Sequence, residues 1–407
     1  MSVPEKPNFQ DPSFIHDHID SIMSFYHPEC IDHQQGGFYQ SFRDDGSIYD
    51  PGTRHLVSSA RFVFVYAMAS MQGKTNGYLD AARHGVNYLQ KNHLNVSTGG
   101  YAWTIHNGIV ADSTNHCYGL AFVLLAYATA LQAGITEARD MMYQTYDLME
   151  QKFWSTNDQL YLDEINADWS QVSPYRGQNA NMHSCEAVLA AYLASRDQQF
   201  LNRAEVLARK LTVDLAEQSA DQTSGEIAGI PLIWEHYDTN WKIDWDYNKD
   251  DPKNLFRPWG FQPGHQIEWA KLLLILSRYR DQDWMTKKAC EFFDVAIRQS
   301  WDNQYGGILY GFAPDGSICD DDKYYWVHAE GLATAALLAK HTGESKYYDW
   351  YDRIWEYSWK FLIDHKYGAW YRILNRKNQK YDNLKSPPGK TDYHTLGACY
   401  TALESFT

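Results

Sequence analysis

Six histidines stand at or near the starts of apolar segments of helical length, and they are the residues of this chain best suited to chemistry. Successive members are roughly 60 to 80 residues apart; they are His55, His116, His183, His265, His328 and His394. Glu186 and Glu268 follow two of them by three residues, a spacing that places both side chains on one face of a helical turn. After His328, Glu330 is the residue predicted to face a pocket. The pattern predicts a site where imidazoles and carboxylates meet.

Metal binding and glycoside hydrolysis are two chemistries that such groups can perform. Di-metal bundles use Glu-x-x-His together with further carboxylates, whereas the order here is His-x-x-Glu, and the sequence has no HExxH. We therefore predict no metal and no cofactor. Glycoside hydrolysis requires a pair of carboxyl groups with separate roles. Glu186, Glu268 and Glu330 each have a histidine or arginine nearby that would hold them ionised, which argues against that pair.

Proton abstraction next to a carbonyl is the third chemistry. Imidazole, with an unperturbed pKa of about 6.5, can take and return a proton at neutral pH. Arg61 lies on a predicted helix face from which it can stabilise an enediolate oxygen, and Glu268 can orient or charge-stabilise His265. This chemistry uses all three residue types that the pattern supplies.

The elements that must position these groups repeat along the chain. Each repeat reads as an amphipathic helix, a short hairpin with a turn such as Asp44-Asp45-Gly46 or Asn107-Gly108, and an apolar helix whose start carries the histidine. Helices that are apolar all round are expected inside and amphipathic ones outside. The sequence predicts an all-α fold: an (α/α)6 barrel of about twelve helices, with β-hairpins between outer and inner helices and one catalytic domain over residues 1–407. The six inner helices then start at one barrel end, where the long insertion 217–264 is expected to form a wall or lid.

Composition excludes several classes of partner. The 407 residues carry a net charge of −15, whereas nucleic acids and anionic membranes bind basic surfaces. No apolar run approaches about 18 residues, so we expect no transmembrane helix. Six scattered cysteines without a CxxC pair are typical of a reduced, cytoplasmic protein. A small-molecule partner is expected, with 15 Trp and 30 Tyr available for sugar rings, in a monomer or a homo-oligomer.

The chain resembles the N-acylglucosamine 2-epimerase superfamily in motifs that occur in order along nearly its whole length. They are Arg54-His55-Leu56, Ala60-Arg61, Asn179-Ala180-Asn181-Met182-His183, Pro263-Gly264-His265-Gln266-Ile267-Glu268-Trp269, Ala329-Glu330-Gly331 and Asp392-Tyr393-His394. The motifs at residues 179–183 and 263–269 together are most like the aldose–ketose isomerase branch. The resemblance implies an (α/α)6 barrel, no metal and acid–base catalysis by histidine.

Residue roles follow from the same resemblance. It implies that His265 and His394 transfer the proton, that His183 opens or holds the sugar ring, and that Arg61 and Glu268 support catalysis. The implied substrate-binding residues are Tyr118, Asn179, Trp326 and Glu330, and the histidine pattern adds His55, Asn115, His116 and Glu186 as predicted substrate-binding residues. His93 is expected on a surface loop and would then be indifferent to substitution.

The resemblance implies interconversion of D-mannose and D-fructose through a cis-enediol, with D-lyxose and D-xylulose as a further pair. Three alternatives stay open: a sulfoquinovose isomerase, a 2-epimerase of N-acylglucosamine or cellobiose, and a barrel that binds sugars unchanged. A sulfosugar requires a cationic subsite, for which Arg176 and Arg257 are candidates. The neighbours of His394 in Lys390-Thr391-Asp392 favour mannose. Several ionisable groups converging on one cavity argue against mere binding, because buried polar groups are costly unless used.

Overall fold

The computed structural model describes residues 4–73 and 77–407, and these residues are dominated by long helices. In chain order the α-helices are α1 (Pro12–Tyr26), α2 (Leu56–Met71), α3 (Tyr78–Tyr88), α4 (Cys117–Gln132), α5 (Ala138–Lys152), α6 (Gln178–Ser195), α7 (Gln198–Arg209), α8 (Glu217–Ala220), α9 (Pro263–Ser277), α10 (Asp283–Ser300), α11 (Tyr325–Thr342), α12 (Ser345–Phe361) and α13 (Tyr393–Phe406). All but the four-residue α8 belong to six outer–inner pairs. Among the described residues, no helix combines the length and apolar character needed to cross a bilayer.

The inner helices α2, α4, α6, α9, α11 and α13 form a closed ring, because each packs against the next and α13 returns to α2. They are buried on nearly every side; in α4 this includes Leu120 to Leu131 without interruption. The outer helices bury a single face, as α3 does through Ala81, Ala82 and Val86. The inner helices are thus apolar on all sides, whereas the outer helices are apolar along one stripe. The predicted (α/α)6 barrel is confirmed.

Sixteen short strands are described, and they lie at the end of the barrel where the inner helices begin. They are β1 (Ser41–Arg43), β2 (Ile48–Asp50), β3 (Thr53–His55), β4 (Thr104–His106), β5 (Ile109–Asp112), β6 (Asn115–His116), β7 (Trp154–Ser155), β8 (Leu160–Tyr161), β9 (Glu164–Ile165), β10 (Arg176–Gly177), β11 (His236–Tyr237), β12 (Gly311–Phe312), β13 (Ile318–Asp320), β14 (Lys323–Tyr324), β15 (Ile373–Leu374) and β16 (Leu384–Ser386). Hairpins occur as predicted in the first, second, third and fifth repeats. In the first repeat the hairpin begins at Ser41.

The strand before an inner helix pairs antiparallel with a strand of the next repeat. This holds for β3 with β4, β6 with β9, β10 with β11, and β14 with β15. An isolated bridge between Phe261 and Phe312 takes the same place before α9. The pairing of β16 with β1, in which Ser386 faces Phe42, closes the circle. These pairings fix the starts of the inner helices relative to one another and so position the side chains that the starts carry.

The expectation that His93 lies on a surface loop is wrong. A π-helical turn, Leu89–His93, extends α3 and directs the imidazole inward, where it is 1% exposed. One ring nitrogen lies 3.0 Å from the Ser59 hydroxyl and the other 2.8 Å from the carbonyl oxygen of Ala102. A substitution here removes buried hydrogen bonds, so His93 is unsuitable as an inert control.

Candidate active site

The starts of the inner helices surround a cavity of about 780 Å³, a volume typical of small-molecule sites. Residues from all six inner helices or the strands before them line it. The predicted site residues in its wall are His55, Arg61, His116, Tyr118, Asn179, His183, His265, Glu268, Trp326 and His394. The insertion supplies part of the rim through Leu255 and Phe256, which confirms that it forms a wall at this end.

Three predicted site residues lie elsewhere, and so does His328. Asn115 points away from the cavity, because its amide donates to the carbonyl oxygen of Asn166 at 3.0 Å. Its predicted contact with substrate is replaced by this structural one. Glu186 and Glu330 lie behind the cavity wall. His328 is fully buried and accepts from the backbone N–H of Ile308 at 2.9 Å, so it belongs to the barrel wall.

Three cavity histidines share one arrangement, in which Nδ1 meets a buried glutamate. The Nδ1 to carboxylate distance is 2.9 Å for His183 and Glu186, and 2.7 Å for His394 and Glu330. An ionised carboxylate can only accept, so Nδ1 then carries the proton and Nε2 has a free lone pair. Each ring is thereby set up to receive a proton from a molecule in the cavity.

Glu235 completes the third pair and corrects a sequence expectation. His265 Nδ1 lies 2.9 Å from Glu235 Oε2, whereas Glu268 was expected to orient this ring. Gln178 donates to the same carboxylate oxygen at 3.1 Å and accepts from Trp269 at 2.9 Å. Glu235 directly precedes β11, whose pairing with β10 brings it to the start of α6. The sequence places it in an irregular segment, 30 residues before its partner, with no periodic signal to identify it.

Glu268 takes a different role from the one expected. Its side chain borders the cavity, and both carboxyl oxygens are buried without a hydrogen-bond partner among the described residues. Burial and the neighbouring charge of Glu330 raise the pKa of Glu268 well above its usual value. A protonated carboxyl can donate a hydrogen bond, so Glu268 is suited to hold or supply a proton at a substrate oxygen.

The surroundings of His394 and His183 favour the neutral form of both imidazoles. Burial lowers the pKa of His394 well below its ordinary value, and the nearby charges of Arg61 and Lys271 lower it further. Burial also lowers the pKa of His183, against the opposing effect of Glu186. Burial by itself would raise the pKa of Glu186, yet the hydrogen bond with His183 and the charge of Lys271 bring it to about 2. Neutral imidazoles and an ionised Glu186 are therefore expected at neutral pH.

Arg61 provides a fixed positive charge in the cavity wall. Its guanidinium donates to the carbonyl oxygen of Gly389 and, at 3.2 Å, to the Tyr118 hydroxyl. It also lies over the rings of Phe122 and Tyr393, at 4.3 and 4.9 Å from their centroids. A cation held in this way costs little reorganisation when negative charge develops on a substrate oxygen.

Two groups of metal-ligand-type atoms meet below the cavity: those of His183, Glu186 and Glu268, and those of Glu268, Glu330 and His394. The ammonium of Lys271 lies among them, with Nζ 2.6 Å from Glu330 Oε2, 3.7 Å from Glu268 Oε1 and 3.9 Å from Glu186 Oε1. The protein's own cation therefore supplies positive charge where a metal would. Sequence reasoning also missed this residue, although a lysine within the apolar run of α9 signals a buried partner.

One of the two arginines that the sequence offered for an anionic substrate lies in the cavity wall. Arg257 lines the cavity but pairs with Glu164 and donates to Tyr247 at 2.9 Å. Arg176 lies outside the lining and donates to the carbonyl oxygen of Ser173 at 2.7 Å. The guanidinium groups of both arginines thus have protein partners already.

Asp163 is another residue that the sequence analysis missed. It borders the cavity, and burial raises its pKa to about 8.

Trp326 forms an aromatic wall between the two principal histidines. Its ring centroid lies 5.2 Å from that of His265 and 5.5 Å from that of His394. The indole packs directly on Gly264, where an added Cβ would come within 2.5 Å of the ring. A glycine in the first turn of α9 therefore lets the tryptophan approach both imidazoles.

We expect Gly264→Ala to displace Trp326 and to lower stability by about 1–3 kcal/mol, the usual range for overpacking. The displacement should also reduce kcat/KM, since the indole separates the two imidazoles. Thermal unfolding and steady-state kinetics measure both effects. Gly397→Ala is the matched control, because a Cβ at this position of α13 meets nothing within 4 Å. Equal behaviour of the two variants would contradict the packing argument.

Known proteins resemble this chain in sequence and in fold. Residues 37–398 match the family described as N-acylglucosamine 2-epimerase (GlcNAc 2-epimerase). The D-mannose isomerase of Marinomonas mediterranea is 53% identical over 401 residues, which cover 98% of this chain and 99% of that protein. A crystal structure of a D-mannose isomerase has a TM-score of 0.94 at 53% identity, with 98% of this chain and 100% of that chain covered. A cellobiose 2-epimerase from Bacillus thermoamylovorans B4167 shares the fold at 19% identity, with a TM-score of 0.83 and coverage of 97% and 100%. The matches confirm the predicted family and the prediction of an isomerase.

Proposed function

The chain belongs to the N-acylglucosamine 2-epimerase family, and from that premise we propose that it interconverts D-mannose and D-fructose. The observation that carries the proposal is the pair His265 and His394, each held through Nδ1 by a buried glutamate and placed on either side of Trp326. Such a pair offers two Nε2 atoms to one bound molecule. The name of the relative in Marinomonas mediterranea supports mannose as the aldose.

The proposed reaction moves one proton between neighbouring carbons. An open-chain aldose loses its C2 proton to Nε2 of one histidine while its carbonyl oxygen gains a proton, which gives a cis-enediol. The proton is then returned to C1 as the 2-hydroxyl gives up its own proton and becomes the ketone. Return to the opposite face of C2 would instead give the epimer. General acid–base catalysis of this kind starts from an unprotonated ring, and the lowered pKa of His394 keeps its imidazole neutral.

Arg61 and Glu268 are proposed to support the enediol. The guanidinium of Arg61 stabilises negative charge on the oxygens, and the raised pKa of Glu268 lets its carboxyl donate a proton to one of them. His183, whose Nδ1 meets Glu186, is proposed to exchange a proton with the ring oxygen or the anomeric hydroxyl as the pyranose opens. D-Lyxose, which matches D-mannose at C2 to C4, is proposed as a further substrate.

A sulfosugar substrate is less well supported by the site. It would require a cation free to meet the sulfonate, yet Arg257 pairs with Glu164 and Arg176 binds backbone carbonyl oxygens outside the cavity. Mannose, which has no charge, requires no such cation. The wall of hydrogen-bonding groups and aromatic rings is sufficient for a neutral hexose.

The test is to incubate the purified protein with single sugars and to analyse the products by chromatography. D-Mannose should yield D-fructose and the reverse, D-lyxose should yield D-xylulose, and cellobiose, N-acetylmannosamine and sulfoquinovose should remain unchanged. Conversion of one of these last three at a higher kcat/KM than D-mannose would overturn the assignment. Recovery of all six sugars intact, although bound, would favour a binding protein.

We also expect the reaction to proceed without a metal, because the ammonium of Lys271 lies where a metal would compensate the carboxylates. Protein dialysed against EDTA should retain its full rate with D-mannose. Adding Mg²⁺, Mn²⁺, Co²⁺ or Zn²⁺ back should not raise that rate. Loss of activity in EDTA that one of these ions restores would contradict the expectation.

A further inference from the structure

Lys271 connects the parts of the site that face the cavity. It lies one turn after Glu268 in α9, is 8% exposed, and sits behind the cavity wall rather than in it. Its Nζ is within 4 Å of carboxylates from three inner helices: Glu186 of α6, Glu268 of α9 and Glu330 of α11. Two of these carboxylates hold the Nδ1 atoms of cavity histidines. The Lys271 ammonium is therefore linked to His183 and to His394 through one glutamate each.

We propose that Lys271 is a positioning residue that keeps Glu330 and Glu186 ionised, and through them keeps the protons of His394 and His183 on Nδ1. This inference rests on the isomerase function proposed above and assigns a role to a residue that does not touch the sugar. The contact of 2.6 Å with Glu330 is the closest of the three. It makes His394 the ring most dependent on the lysine.

The argument begins with three carboxyl groups in one buried cluster. Like charges that close together cannot all remain ionised without a counter-ion. Burial raises the pKa of Glu330, and the charge of Lys271 opposes that rise. Without the ammonium, Glu330 would retain a proton at neutral pH. When its hydroxyl faces Nδ1, a protonated carboxyl donates to that nitrogen or transfers its proton there, and in both cases Nε2 of His394 carries a proton and is no longer a base.

Charged and titratable side chains of every inner helix surround Lys271 and its three glutamates, and they also affect the charge of these groups. They are Arg61 of α2, Tyr118 of α4, His183 and Glu186 of α6, His265 and Glu268 of α9, Tyr325 and Glu330 of α11, and Tyr393 and His394 of α13. The Tyr393 hydroxyl also donates to Glu186. Among the described residues, Glu186 therefore keeps two other donors if the lysine is removed, whereas Glu330 keeps His394 alone. The effect is thus expected mainly at His394.

The kinetic test compares Lys271→Met, which removes the charge at similar length, with Lys271→Arg, which retains it. Lys271→Met should lose about 10²-fold in kcat at neutral pH, as expected when a general base is blocked, with little change in KM. Raising the pH ionises Glu330 again, so the acid limb of the kcat profile should move to higher pH. Lys271→Arg should keep the wild-type profile. A merely structural lysine would instead lower kcat equally at every pH, which would overturn the proposal.

The double variant Lys271→Met/Glu330→Gln removes both charges and serves if the single variant fails to fold. The amide oxygen of the new glutamine side chain can accept from Nδ1 of His394 without a counter-ion. The double variant should therefore regain much of the activity that Lys271→Met loses. Equal or lower activity than in Lys271→Met would contradict the proposal.

Nitrogen NMR of histidine-labelled protein gives a readout that requires no substrate. The wild type should show His394 protonated on Nδ1, and Lys271→Met should show it protonated on Nε2. This result would stand even if D-mannose proved not to be the substrate, so the two proposals fail separately. The same protonation state in both proteins would refute the role of Lys271.

Discussion

Replacing His265 or His394 by alanine should reduce kcat for D-mannose about 10²–10⁴-fold, because each variant loses one general acid–base group. Both side chains line the cavity, and each has its Nδ1 engaged by a buried glutamate. Truncation therefore removes the one ring nitrogen that can exchange a proton with the sugar. Steady-state kinetics, with circular dichroism to confirm folding, measure the effect.

His33→Ala is the control for these variants, since His33 is exposed and remote from the cavity lining. Its kcat should equal that of the wild type. Exchange of the C2 proton of D-mannose in heavy water separates the two roles: a variant lacking the base at C2 should lose exchange together with turnover. Near-normal turnover in either active-site variant, or exchange that depends on His183 alone, would show that the roles are assigned wrongly.

The barrel and most of the cavity could be predicted from the sequence because both depend on local pattern. An apolar helix that begins with a histidine recurs six times, and a ring of parallel inner helices must bring those starts to one end. Ten of the thirteen predicted site residues line the cavity for this reason. Helical periodicity and a repeat are properties of neighbouring residues, so one sequence is enough to reveal them.

Helix register explains why one member of the repeated pattern differs. His328 lies in the fourth position of α11, and its nitrogens meet the backbone of Ile308 and Tyr324. Trp326, two residues earlier in the same helix, lines the cavity. Two residues turn a side chain by about 200° around a helix, to the opposite side. The sequence shows that a histidine begins each helix, but its pattern does not fix the rotation of that helix.

Residues that act through long-range contacts could not be located in the same way. Glu235 reaches His265 because β11 pairs with β10, and such pairing leaves no periodic trace in a segment this irregular. Asn115 is predicted in the site together with its neighbour His116, yet successive residues of a strand point to opposite sides. Proximity along the chain was thus a poor guide wherever a strand rather than a helix carried the residue.

Glu235→Ala should reduce kcat about 10²-fold or more, although Glu235 itself makes no step of the proposed reaction. Removing the carboxylate leaves Nδ1 of His265 without its partner, so the ring can rotate or move its proton to Nε2, and the base is lost. Gln178 and Trp269 would lose their anchor as well, since Gln178 links the carboxylate to the indole. KM should change less than kcat, because the ring is needed for proton transfer rather than for binding.

Glu235→Gln is the variant that separates position from charge. Gln178 donates to Oε2, so it should hold the amide of the new side chain with its oxygen at that place, where it can still accept from Nδ1 of His265. The variant should therefore retain most of the activity that Glu235→Ala loses, and nitrogen NMR should show His265 protonated on Nδ1 in the glutamine variant and not in the alanine variant. If both variants were equally impaired, the charge of Glu235 would matter more than its geometry. If neither were impaired, Glu268 would be the residue that orients His265, as the spacing in the sequence first suggested.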